Sequence, residues 1–340
     1  MKPDLFLRAD GSINVGYGHV YRLLALGQIL SPYFTIHFVT RTNDNKLLHA
    51  ISENFPDIIR IEEDPDNEIL NNEWDFLKKP ALIILDGYKF HTDYQDSILR
   101  AKHFLIFIDD IQSQKYHAHL VINHAPGLSA GNFSEHSVED FYLGPSFSIL
   151  RKEFLDAAKT SIKVPEKNNV FICFGGGVQN QRLCEILDVL IDIDSLDSIH
   201  VLLGNEVYAP EKYSINPKIT FYSSLSAAEI IVIVKNCCLA ITSASTISYE
   251  MASVGIPLFI EQTADNQSNI FKGMIELEVA KPYKAKSIQD FFAETSSPIS
   301  HYFSTFVTVQ RKVFDGKSDE RLAKHILEIY AKFISRSSNR

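Results

Sequence analysis

Cysteine is scarce: the 340 residues contain four, Cys173, Cys184, Cys237 and Cys238. None forms a C-x-x-C pair, and the adjacent Cys237 and Cys238 are poor partners for each other. A disulfide scaffold is therefore excluded, and reduced, mostly buried thiols are expected. There is no surplus of positive charge. Lys and Arg number 33 against 42 Asp and Glu, a net charge of −9, so no nucleic-acid partner is expected. No apolar run reaches the ~18–20 residues of a membrane span. The first ten residues, MKPDLFLRAD, are charged at Asp4, Arg8 and Asp10 and lack the apolar core of a signal peptide, so a cytoplasmic protein is expected. Short-period repeats and low-complexity segments are missing as well. What remains is ordinary globular material, 45% hydrophobic and 22% charged, enough for two cores at ~150 residues per domain.

The recurring unit is a short apolar run, a turn and a longer amphipathic stretch. LFLRA (5–9), TIHFVT (35–40), ALIILD (81–86), FLIFID (104–109) and LVIN (120–123) have the composition of buried parallel strands. Helix-like stretches separate them near 18–30, 43–54, 66–77 and 92–101. The pattern restarts with VFICF (170–174), a helix over 179–192, IHVLL (199–203) and ITFY (219–222). It continues with a helix from about 226, CLAIT (238–242), a helix from about 246, IPLFI (256–260), a helix from about 266 and a last helix over 317–335. Alternating β and α elements predict parallel sheets covered on both faces, in two units flanking a polar linker within 155–168.

Ligands of such sheets bind at the carboxyl ends of strands. After the first strand come Arg8, Asp10 and the turn Gly16-Tyr17-Gly18-His19, with Arg22 one turn on. A helix N-terminus disfavours the imidazolium, so His19 is expected neutral and able to act as a general base. Later strands end at Asp86-Gly87-Tyr88, at Asp109-Asp110 and at Asn123. An aspartate near His19 would orient its ring. No His/carboxylate cluster accompanies the paired aspartates, so neither a metal nor another cofactor is expected.

In the second half, Gly175-Gly176-Gly177 follows a strand, Ser243-Ala244-Ser245-Thr246 opens a helix with Glu250 one turn in, and Asn266-Gln267 opens another. Backbone N–H groups at helix starts suit phosphate, and Glu250 could accept from ribose hydroxyls. Plain glycine turns and Ser/Thr caps are the alternative reading of these loops. The full G-x-G-x-x-G fingerprint, a P-loop and H-E-x-x-H are all absent.

Taken in order, Arg8-Ala9-Asp10, Gly16-Tyr17-Gly18-His19, Arg22, Asp86-x-Tyr88, Ile108-Asp109-Asp110 and Asn123 resemble the N-domain of the UDP-sugar hydrolases of pseudaminic acid biosynthesis. Leu143-Gly144-Pro145 with Leu150-Arg151-x-Glu153-Phe154 is similar to that family's interdomain stretch. Phe174-Gly175-Gly176, Ser243–Glu250 and Asp265-Asn266-Gln267 are similar to its nucleotide half, and Phe314-Asp315-Gly316-Lys317 with Arg321 to its last helix. The chain departs from the family in having Gly87 where Asp-His-Tyr is usual and Ser243-Ala244-Ser245 where the family has a glycine-rich turn.

The resemblance extends over nearly the whole chain and implies a GT-B-like α/β fold of the MurG-like group. Two Rossmann-like, doubly wound parallel-sheet domains would face a cleft. Residues 1–154 would form the sugar and catalytic side and residues 165–316 the UDP side, with 317–340 packing back toward the first domain. It further implies hydrolysis of a UDP-linked deoxy-diacetamido sugar at the anomeric C–O bond with inversion. His19 would be catalytic with Asp86 and Asp110. Arg8, Asp10, Gly16, Gly18, Arg22, Tyr88 and Asn123 would serve the sugar, and Gly175 to Gly177, Ser243 to Thr246, Glu250, Asn266 and Gln267 the UDP. Partners would be the UDP-sugar and water, and the protein a monomer. An inverting UDP-sugar glycosyltransferase of the same fold, or a nucleotide-sugar-binding protein without turnover, are the rival readings.

Overall fold

The computed structural model describes residues 2–12, 16–61, 74, 77–112, 114–133, 137–175, 180–204, 208–293 and 298–338. The chain divides into two compact units, residues 1–149 with 318–340, and residues 150–317.

Unit one is built from β1 (Asp4–Arg8), α1 (Gly18–Leu30), β2 (Thr35–Thr40), α2 (Asn45–Asn54), β3 (Ile58–Arg60), β4 (Leu82–Asp86), α3 (Thr92–Arg100), β5 (Phe104–Ile108), β6 (His117–Asn123) and β7 (Ser137–Leu143). All seven strands are parallel, in the order β3-β2-β1-β4-β5-β6-β7. The apolar runs of β4 and β5 are buried throughout, because each strand alternates between two cores. Leu82 and Ile84 join Leu5, Leu7, Leu23 and Leu26 on one face. Ile83 and Leu85 join Phe6, Tyr94 and Ile98 on the other.

Unit two comprises α4 (Lys152–Ala158), β8 (Asn169–Cys173), α5 (Asn180–Ile191), β9 (Ser198–Leu202), α6 (Glu211–Ser214), β10 (Ile219–Tyr222), α7 (Ala227–Val234), β11 (Leu239–Ser243), α8 (Thr246–Val254), β12 (Leu258–Glu261), α9 (Ser268–Glu276), β13 (Lys281–Pro282), α10 (Ala285–Ala293) and α11 (Pro298–Val313). Its parallel sheet runs β10-β9-β8-β11-β12-β13. The closing helix α12 (Ser318–Ser338) belongs to unit one. There Leu322, Ala323 and Ile326 enter the core beside α1, and Tyr330 and Phe333 meet Phe104 edge-on.

Both sheets have the doubly wound order in which the chain reverses direction beside its first strand. The reversal lies between β1 and β4 in unit one and between β8 and β11 in unit two. The loops leaving those four strands therefore share the carboxyl edge at each reversal, which is where ligands of such sheets bind.

Several elements differ from the sequence expectation. The stretch expected as a polar linker starts inside α4, whose Phe154, Leu155, Ala157 and Ala158 are buried. The helix expected over 66–77 lies outside the described residues, apart from Trp74 and Leu77. Strand β7 is only partly buried, with Ser137, Glu139 and Asp140 exposed, so it lacks the apolar run by which a buried strand is recognised.

Helix α1 lies close over β1 at Gly27. A Cβ there would stand 2.7 Å from the Leu7 Cδ1 and Phe55 Cζ atoms. Alanine is the better helix former by about 1 kcal/mol, but overpacking costs about 1–3 kcal/mol. Gly27→Ala is expected to lower the urea midpoint, with the denaturant slope unchanged. A raised midpoint would show that the contact relaxes freely.

Candidate functional site

Asp86 ends β4 fully buried. Burial pushes its pKa up, but the Arg22 guanidinium and His19 more than offset this and hold it below the usual carboxylate value. Arg22, one turn into α1, grips it as a fork: Nε donates to Oδ2 and Nη2 to Oδ1, each at 2.6 Å. Such a bidentate pair fixes both partners in one plane. On the same helix His19 places Nδ1 2.7 Å from Asp86 Oδ1. An ionised carboxylate oxygen at that distance needs a proton to accept, so Nδ1 carries one, and the neutral form of the ring then has its lone pair on Nε2.

Arg22 also reaches Asp110, from Nη1 at 3.3 Å and Nη2 at 3.4 Å. Tyr88 donates its hydroxyl to the same Asp110 oxygen at 3.2 Å, and its ring meets His19 edge-on at 4.6 Å. Asp110 shifts the opposite way from Asp86. Burial dominates there and is only partly countered by Arg22, so its pKa is raised. One arginine thus serves a carboxylate held ionised and another that retains its proton more readily. His124, unnoticed in the sequence though it follows Asn123 at a strand end, is buried beside this cluster. Burial, reinforced by Arg22, pushes its pKa down to about 3.

The structure gathers His19, Arg22, Asp86, Tyr88 and Asp110 together, while Arg8, Asp10 and Asn123 hold other partners. Arg8 is buried under Phe90, 5.0 Å from the ring centroid, and donates to Asp10 at 2.5 Å. Asp10 in turn accepts from the Arg41 amide at 2.7 Å, so the pair braces the ends of β1 and β2. Asn123 is fully buried with both ends engaged: Nδ2 donates to Asp109 at 2.7 Å, and Oδ1 accepts from the Ala125 amide at 2.9 Å. Asp109 also accepts the Tyr116 hydroxyl and the Ile111 and Gln112 amides.

Beyond its immediate chain and helix neighbours, a Cβ on Gly16 or Gly18 would meet no atom of the described residues within 4 Å. Gly87 has φ +155°, and a Cβ there would come within 3.0 Å of Phe90. This backbone path favours glycine at the position where the resembled family has histidine.

In unit two, Gly175 leaves β8 with φ +65°, and beyond its chain neighbours a Cβ there would meet nothing within 4 Å among the described residues. Gly176 and Gly177 lie outside the described residues. Ser245 is the N-cap of α8 but makes no capping bond; its Oγ pairs with Ser243 Oγ at 2.9 Å. The first-turn amides, beginning with Thr246, therefore have no side-chain acceptor from the N-cap, the arrangement that suits an anion. Ala244 is fully buried behind this turn.

Glu250 is buried in a fork with Arg151, whose Nε and Nη2 each donate to it at 2.8 Å. A carboxylate can accept about four hydrogen bonds, so Glu250 keeps capacity beyond this pair. Gln267 accepts from the Thr263 amide at 2.8 Å, bracing its own loop, and Asn266 beside it is exposed. Burial raises the Cys173 thiol to about 11 and the Cys238 thiol to about 12, which leaves them inert near neutral pH. Among the described residues, no group of three or more His, Cys, Asp or Glu side chains is placed to hold a metal ion. Nor, among them, is any helix long and apolar enough to cross a membrane.

No known family model matches the chain. An uncharacterized protein of Methanocaldococcus jannaschii is 32% identical over 269 residues, which is 74% of this chain and 54% of that protein. The chain thus spans about half the length of the curated relative it matches. Among solved structures, MurG of Acinetobacter baumannii is similar with a TM-score of 0.56 at 13% identity, over 98% of this chain and 100% of that one. UDP-GlcNAc 2-epimerase of Neisseria meningitidis, bound to UDP-GlcNAc, reaches 0.65 at 10% identity over 96% and 100%. HepE of Anabaena, in complex with UDP, reaches 0.61 at 13% identity over 98% and 100%. With its two parallel-sheet units, the chain has the fold of the GT-B glycosyltransferases.

The buried, neutral His124 generates a pH prediction. Unfolded, it binds a proton near pH 6.5; folded, only near pH 3. The unfolded state therefore holds more protons throughout that window, and stability falls with decreasing pH by up to about 1.4 kcal/mol per unit. The urea midpoint should drop more steeply between pH 6.5 and 4 in the native chain than in His124→Gln. Parallel profiles would refute the assignment.

Proposed function

We propose that the protein is a UDP-sugar hydrolase in which His19 is the general base. The observation behind this reading is the His19 ring held by ionised Asp86 through Nδ1, which leaves Nε2 as a proton acceptor at the start of α1, directly after Gly18. The UDP and UDP-GlcNAc bound by two proteins of this fold support the ligand class. The residue pattern shared with the hydrolases of pseudaminic acid biosynthesis supports UDP-2,4-diacetamido-2,4,6-trideoxy-β-L-altropyranose as substrate.

Unit two holds the UDP. The Gly175 turn and the first-turn amides of α8 meet the phosphates, and Glu250, aimed by Arg151, meets the ribose. His19 Nε2 takes a proton from water as its oxygen bonds to the anomeric carbon. The bond from that carbon to the UDP oxygen breaks on the opposite face, configuration inverts, and UDP leaves with the electron pair. Asp86 stabilises the imidazolium that forms, and Tyr88 and Asp110 orient the sugar. A positioned base of this kind is worth about 10²–10⁴-fold, and each N–H on the departing phosphate about 3 kcal/mol. The glycosyltransferase reading differs only in that an acceptor hydroxyl replaces water.

Turnover in ¹⁸O-labelled water distinguishes these readings. Label in the freed sugar, with unlabelled UDP, is the expected result. Label in phosphate would mean attack at phosphorus. UDP binding without release would favour a transferase that needs its acceptor, or a binding protein. His19→Ala is expected to lower kcat by at least about 10²-fold while UDP affinity stays within a factor of about two. Retained turnover would refute the role of His19.

A further inference from the structure

The strand-start edge of the unit-one sheet, opposite the Asp86 edge, holds a cavity of about 860 Å³. That is the size of a small-molecule site. Along β4 the two edges are roughly 13 Å apart at 3.3 Å per residue. Leu99, Val138 and Phe333 supply an apolar wall, and Lys102, His103 and His119 line the same space.

The two imidazoles have one tautomer each. His103 Nδ1 accepts the Ala81 amide at 3.2 Å, and His119 Nδ1 accepts the Leu105 amide at 3.0 Å. An acceptor Nδ1 places the proton on Nε2. Among the described residues no hydrogen bond engages either Nε2–H; His103 is buried and His119 half-buried. Burial lowers the pKa of both rings, with Glu139 opposing it at His119, so each is a neutral donor rather than a cation.

Lys102 adds the positive charge from an unusual backbone. It follows α3 with φ +62°, and its amide and that of His103 donate back to Leu99 and Ile98 at 2.9 and 3.2 Å. Glycine is the usual residue in such a left-handed helix end, and a lysine that tolerates it points to a use for its ammonium. Glu139, also in the lining, is drawn toward Arg336 at 3.7 Å.

We propose that this cavity is a second ligand site, taking a monoanionic carboxylate with a flat apolar body: its oxygens accept from His103, His119 and Lys102, and its body lies against Phe333, Val138 and Leu99. Two neutral donors and one ammonium, opposed by Glu139 at the rim toward Arg336, suit no more than one negative charge, not the several of a diphosphate.

Calorimetric titration of the full chain with benzoate, benzamide and inorganic phosphate tests this. Saturable benzoate binding is expected, with benzamide and phosphate at least about tenfold weaker. In ¹⁵N-histidine-labelled protein, benzoate should move two Nε2 signals, those lost in His103→Gln and His119→Gln. Lys102→Gly removes the ammonium and relaxes the backbone. It should weaken benzoate about fivefold or more without lowering the melting temperature, which separates binding from folding. The proposal is overturned if benzoate does not saturate, if benzamide or phosphate binds as tightly, or if Lys102→Gly and His103→Gln both leave the affinity unchanged.

Discussion

The fork between Arg22 and Asp86 is the constraint on which the carboxyl edge of unit one depends. Two opposite charges are buried together, and removing either would leave the other uncompensated, typically at a cost of about 3–5 kcal/mol. The pair ties α1 to β4, on either side of the point where strand order reverses. It keeps Asp86 ionised, and an ionised Asp86 dictates which nitrogen of His19 bears the proton. Asp110, sharing the same guanidinium at longer distances, is shifted the other way. The protonation pattern of the cluster thus follows from where one guanidinium sits.

The two units use the same strand order for different chemistry. At the reversal in unit one lie titratable side chains stacked around an arginine. At the reversal in unit two lie small residues: Gly175 in a left-handed backbone conformation, and a serine that makes no side-chain cap to the α8 amides. Its buried carboxylate Glu250 is held by Arg151 at the first turn of the unit. Side chains of tunable charge suit proton transfer, and fixed dipoles suit an anion.

Much of this was legible in the sequence because parallel strands buried on both faces read as unbroken apolar runs. LIILD, FLIFI and VFIC announce themselves, and the polar residues just past them mark the ligand edge. The partly buried β7 and the two-residue β13 lack such runs and escaped. At the candidate site, residue type and strand-end position singled out His19, Asp86 and Asp110, which lie together around Arg22. Pairing is a property of three dimensions and was invisible. Nothing local distinguishes Arg22, which clamps two aspartates, from Arg8, which braces a loop. Nor does spacing reveal that Asn123 is consumed by Asp109 and Ala125, or that Arg151 holds a carboxylate 99 positions away.

The membership of α12 in unit one has a consequence for the order of synthesis. The N-terminal sheet leaves the ribosome first, but Leu322, Ala323 and Ile326 complete its core only after all of unit two has been translated. At about 5–20 residues per second, the 168 residues of unit two take roughly 8–34 s. For that interval the nascent first unit presents the apolar seam of α1 and β5 uncovered. Its native state is therefore reached last, although its chain is made first.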